Sequence, residues 1–180
     1  DNLSEFSSYG RLVVGGDTLW NSRDGDDSSP DNLSDIFGID SDVSINRHEH
    51  DDDDVMYVWE SNHPIMEVFI RGHPVDYPED EILYEYSVNE GTPLSYWWTE
   101  GDSTNSPNGE SAVIFNDEDE FDTGTGVLFN MRLSQAASSD EISSRDRSDW
   151  ITMAKRSVYW ISPFWIFRKV TLYIWPGEGV

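Results

Sequence analysis

The stretch GVLFNMRL, residues 126–133, sets Val127, Phe129, Met131 and Leu133 on one side of an extended chain, with Asn130 and Arg132 on the other. Side chains of a strand alternate between faces, so this period of two predicts a strand with one face in a core. EILYEYSV (81–88) repeats it: Ile82, Tyr84, Tyr86 and Val88 share a face opposite Glu81, Glu85 and Ser87. The same reading fits RLVV (11–14), DVSINR (42–47), VMYVWE (55–60), IMEVFIR (65–71) and LSYWWT (94–99). It also fits SAVIFN (111–116), RSVYWIS (156–162) and FWIFRKVTLYIW (164–175). These are about ten strands, rich in the β-branched and aromatic residues that strands favour. Polar, turn-rich segments such as NSRDGDDSSPDN, EGDSTNSPNGE and NDEDEFDTGTG separate them. Helix is expected only near 31–37 and in part of 139–154. The pattern predicts an all-β chain of about eight to ten strands with long acidic loops: a β-sandwich, a jelly roll or a barrel. No repeat or linker divides it, so residues 1–180 read as one domain, with 1–40 as an extended arm or edge.

Thirty-six acids face 11 bases, for a formal charge of −25, and only Lys155 and Lys169 among the bases are lysines. High charge with low hydropathy is the signature of disorder. Trp, Tyr and Phe number eight each, however, which places the charge on the surface of a folded protein. Self-repulsion of that size strains a compact state in dilute buffer, and about 1 M salt shortens the screening length to about 3 Å. The composition therefore points to a salt-rich setting. The same field repels phosphates and excludes nucleic acid as a partner. With no cysteine there is no disulfide, thiolate metal site or cysteine nucleophile. The longest apolar stretch, VYWISPFWIF (158–167), is too short to span a bilayer, so no direct membrane insertion is expected. DNLSEFSS at the start has neither a basic nor an apolar leader segment, and the chain starts without Met.

NRHEHDDDDVMYVWE (46–60) is the densest cluster of chemistry-bearing residues. On a strand, His48 and His50 would share a face, and Asp52 or Asp54 would complete a set of two imidazoles and a carboxylate. Cupin enzymes use a related H-x-H spacing. Here their glycine position holds Asp42, their glutamate position holds Asp54 or Val55, and no late histidine follows. The expectation is a solvated acidic loop feeding a strand, with no catalytic and no metal site, no cofactor, and at most salt cations held weakly at acidic loops. Glu81 and Glu85 on one strand face could pair as in a glycosidase, but paired surface glutamates are common in so acidic a chain. No nucleophile elbow, phosphate loop, dinucleotide fingerprint or complete calcium loop occurs.

In FWIFRKVTLYIW both alternating stripes carry large apolar groups, and a strand apolar on both faces is covered on both. Trp97 and Trp98, as strand neighbours, repeat this. The cover is the chain's own loops, a neighbouring subunit or a stacked sugar. The subunit reading makes Trp97, Trp98, Trp165, Phe167, Lys169, Tyr173 and Trp175 interface residues.

In size, charge and strand rhythm, notably EILYEYSV, GVLFNMRL and FWIFRKVTLYIW, the whole chain resembles the small major capsid proteins of icosahedral, membrane-containing viruses of halophilic archaea. The resemblance implies an upright single jelly roll in the virion, or otherwise an extracellular location. It also implies a capsid subunit that assembles with copies of itself and other virion proteins, without catalysis. Other readings are a turret or head–tail connector, a secreted carbohydrate-binding β-sandwich using Trp97, Trp98 or Trp175, and a cupin-type metal enzyme built on His48 and His50.

Overall fold

The computed structural model describes residues 11–15, 36–39, 46–50, 54–79, 81–99, 111–116 and 125–161. Strands β1 (Arg11–Val14), β2 (Asn46–Glu49), β3 (Asp54–Val58), β4 (Pro74–Val75) and β5 (Ile82–Glu85) come first. They are followed by β6 (Thr92–Thr99), β7 (Ser111–Asn116) and β8 (Thr125–Phe129), then by helices α1 (Leu133–Ser138) and α2 (Ser144–Ile161). Six strands form one sheet in the order β1-β8-β7-β6-β3-β4, while β2 and β5 pair separately. β1 runs parallel to β8, and every other pairing is antiparallel.

Alternation along the central strands builds a core on each face of the sheet. Val113, Phe115, Val127 and Phe129 point to one side, where Ala136 of α1 and Trp150, Met153 and Ile161 of α2 cover them. Ile114 and Leu128 point to the other, against Ile36, Phe37, Ile39, Tyr84 and Tyr86. The stripe read in EILYEYSV is thus real, since Ile82, Tyr84, Tyr86 and Val88 all join this second core. On β6, Leu94 and Trp97 enter the first core although three residues apart. The register shifts around Ser95 allow this, because an extra residue on one strand resets its alternation.

Residues 36–39 sit on glycine. Gly38, at φ 62°, offers one carbonyl oxygen to the N–H groups of Asn89, Glu90 and Gly91 at 2.9, 3.1 and 2.9 Å. A Cβ on Gly91 would fall 2.6 Å from the Phe37 oxygen, and one on Gly126 would fall 2.6 Å from that of Ile36. Only a residue without a side chain admits so close a backbone.

The β-rich expectation holds in its coarse form: mostly strands in a mixed sheet, with few helices. A jelly roll is antiparallel with two facing sheets, and the parallel β1–β8 pair and the helix on one face depart from it. Three strand readings are corrected. GVLFNMRL is strand only to Phe129; Met131 makes an isolated bridge to Leu83, and Leu133 opens α1. IMEVFIR is a series of turns, in which the N–H groups of Met66 and Phe69 bond the carbonyls of His63 and Met66, both at 2.8 Å. It buries Ile65, Met66 and Phe69, an uneven spacing that apolar content alone disguised as a strand. RSVYWIS ends a helix: the buried set Trp150, Met153, Ala154, Ser157, Ile161 has the i, i+3, i+4, i+7 spacing of one helical stripe. FWIFRKVTLYIW lies outside the described residues.

Candidate interaction surface

Helix α2 organises the most chemically varied surface. Its start is capped by Ser143, whose hydroxyl oxygen accepts the Asp146 N–H at 3.1 Å while donating to the Asp146 carboxylate. Such a cap satisfies amide groups that the first helical turn leaves unpaired. Polar contacts then tie α2 to residues 60–77 along its length. The Trp150 indole N–H donates to the Asp76 carbonyl at 2.7 Å. His73 Nε2 lies 2.9 Å from Asp149 Oδ2, and Arg145 Nη2 lies against the His73 ring, 3.2 Å from Nδ1 and 3.4 Å from Nε2. A guanidinium only donates and a carboxylate accepts, so the geometry fits an imidazole proton on Nε2.

Further along, Arg156 Nε and Nη2 donate to the Pro64 carbonyl at 2.8 and 2.6 Å, and Nη2 also meets the Glu67 carboxylate. Pro64, Glu67, Arg156, Tyr159 and Trp160 line a cleft of about 390 Å³. The His63 ring packs beside it, 5.7 Å from that of Trp160 and 4.4 Å from that of Phe115. Around the cleft Trp160 is 41 % exposed and Tyr159 38 %, and on the adjoining turns Val68 is 55 % and Ile70 76 % exposed. These are the large apolar side chains left open to solvent among the described residues.

The histidine cluster behaves differently from its expected reading. His50 is 3 % exposed and sits edge-on to Tyr77 and Trp97, with ring centroids 5.6 and 5.3 Å away. Its backbone N–H donates to the Glu81 carbonyl at 2.8 Å. It is a core residue, not part of a solvated loop. His48 lies on β2 in register with Leu83, and residues 51–53 lie outside the described residues. Around His50 the core is aromatic and internally bonded. The Trp97 N–H donates to Asn130 Oδ1 at 2.9 Å, and the Tyr77 oxygen accepts the Arg132 N–H at 3.2 Å. Burial, and then the nearby Glu81 carboxylate, push the Tyr77 hydroxyl well above its ordinary value of 10.0. Burial and Glu60 raise that of Tyr96.

Trp97 and Trp98, expected at an interface, are each only 4 % exposed. Trp97 lies in the first core; Trp98 faces the opposite way, against Tyr57 and Tyr96 at 5.7 and 5.3 Å. The chain's own fold covers both, leaving neither as a platform for a sugar or subunit. Trp165, Phe167, Lys169, Tyr173 and Trp175 lie outside the described residues. The exposed pair Tyr159 and Trp160 lies in RSVYWIS, whose alternation reads as a strand and hides its place on a helix. One signal could have found it: residues 144–180 hold six of the 11 bases and three of the 36 acids, a local reversal of the chain's charge.

No family model matches this chain, and no curated protein matches it. Among solved structures it is similar to "Cytoplasmic Protein STM3548 from Salmonella typhimurium" at a TM-score of 0.53 and 13 % identity, over 85 % of this chain and 57 % of that one. It is also similar to "Cytoplasmic Protein STM1381 from Salmonella typhimurium LT2" at 0.50 and 16 %, over 88 % and 56 %. The chain therefore spans less than two thirds of the length of either neighbour, and likeness at this identity shows the fold alone. The neighbours' descriptions as cytoplasmic proteins run against the virion or extracellular location expected from the sequence, and that expectation is corrected.

Proposed function

We propose that this chain acts by associating with protein surfaces and not by catalysis. The observation that carries this reading is the exposed aromatic pair Tyr159 and Trp160 lining the Arg156–Glu67 cleft, with Val68 and Ile70 exposed on the turn that follows Glu67. An aromatic and arginine set beside aliphatic groups has the composition of an interface core. The His73–Asp149 pair has the form of a general-base dyad, but a base needs a free ring nitrogen facing a reactive group. Here Asp149 at Nε2 and the Arg145 guanidinium against the ring both come from α2, which favours a role in holding α2 to the sheet. Assembly is carried over from the sequence expectation; the virion setting is not.

A photo-reactive aromatic residue in place of Trp160 tests the reading in the native host. A discrete cross-linked product of defined mass is expected on irradiation. Recovery of the folded chain without any cross-linked product would refute association through this surface.

A further inference from the structure

We propose that a second copy of this chain occupies the surface at the end of α2, with Lys155, Arg156, Tyr159 and Trp160 of one copy against the acid-rich body of the next. This deepens the association reading and rests on it. The first ground is the division of charge. Residues 1–143 carry 33 acids and five bases, whereas α2 (Ser144–Ile161) carries two acids and four bases. The α2 region is thus the complement of the remainder, and a second copy supplies that remainder.

The second ground is which cations are already engaged. Arg145 bonds His73, Arg147 bonds the Ser139 and Ile142 carbonyls, and Arg156 bonds Pro64 and Glu67. Lys155 is exposed and makes no hydrogen bond or ion pair among the described residues. Nη1 of Arg156 makes none either. Lys155 and Tyr159 are four apart and so are Arg156 and Trp160, so each cation neighbours an exposed aromatic on the helix surface. Such a face takes a partner that brings carboxylates together with apolar contact. Asp76, Glu79, Glu90, Asp140 and Glu141 are exposed carboxylates on this same chain.

Because the basic face and the acidic faces are different patches, the contact is head-to-tail, and it builds rings or open chains rather than stopping at a two-fold pair. The formal charge of −25 on every copy opposes their approach. Salt near 1 M cuts the screening length to about 3 Å and leaves the short-range contact in place. Self-association therefore strengthens with salt, whereas binding of a basic partner protein would weaken.

Sedimentation velocity of the purified 180-residue chain from about 0.1 to 3 M NaCl tests this, with circular dichroism run beside it. The wild type is expected to form concentration-dependent oligomers as salt rises. Lys155→Glu and Trp160→Ala should each weaken association about tenfold or more with unchanged dichroism, and Lys155→Arg should retain it. Should Trp160→Ala unfold, the lysine pair carries the test alone. A chain monomeric at every salt and concentration, or variants associating like the wild type, would overturn the second-copy assignment. A cross-link from position 160 to a different protein, beside a monomeric purified chain, removes this inference and leaves the association reading. The absence of any cross-link removes both.

Discussion

Trp150 and Trp160 stand ten residues apart on one helix and have opposite surroundings. Trp150 is fully buried, packs near Tyr77 and Trp97, and gives its N–H to the Asp76 carbonyl. Trp160 is 41 % exposed, touches His63 and Phe115 along one edge, and turns the rest to solvent. Aromatic content alone does not separate a core anchor from a contact surface. Full enclosure with a protein acceptor for the indole N–H marks Trp150 as an anchor, because a buried N–H left without one carries a desolvation cost.

Substitution should divide the two. Trp150→Ala empties a core site and strands the Asp76 carbonyl, so a loss of about 3–5 kcal/mol is expected in chemical denaturation. Trp160→Ala should stay within about 0.5 kcal/mol, as for a surface position. Equal losses at both positions would erase the distinction.

A smaller effect belongs to His50. The solvated-loop reading of NRHEHDDDD leaves His50→Ala neutral, whereas burial against Tyr77 and Trp97 predicts a loss of about 1–3 kcal/mol. A denaturation midpoint matching the wild type would return His50 to the surface.

The smallest expected effect is alkaline. The raised Tyr77 and Tyr96 hydroxyls hold their protons more tightly in the folded chain than in the unfolded one. Their contribution is complete below the unfolded value near 10.0 and is lost as pH rises from there through the higher folded values. Stability followed from about pH 8 to 11 should therefore fall at the upper end. Tyr77→Phe should flatten that fall while losing about 1 kcal/mol at neutral pH for the Arg132 bond.

Much of the sheet was legible because period-two alternation is a local property. RLVV, SAVIFN and the first half of EILYEYSV all appear as strands. The turns at 65–71 are not legible, since Ile, Met, Val and Phe there satisfy a strand's composition while the Met66 and Phe69 N–H groups bond three residues back. Helix α2 is only partly legible: 139–154 suggests some helix, but the stripe from Trp150 to Ile161 crosses into a run that also alternates. Of the surface, Trp97 and Trp98 were assigned by type, and only the partner strands show that each is enclosed. The cation-bearing end of α2 was visible in a segment-by-segment charge count, which a whole-chain total conceals.

The glycine seat under residues 36–39 bears on the order of events in folding. Its parts come from the 89–91 turn, from Ile114 on β7 and from Gly126 on β8. None of them exists as a seat until β6, β7 and β8 have aligned. Residues 36–39 must then close a loop of many tens of residues, whose entropy is repaid only when that surface is complete. Closure of this segment therefore depends on pairing among β6, β7 and β8, and it belongs to the non-local contacts that slow folding.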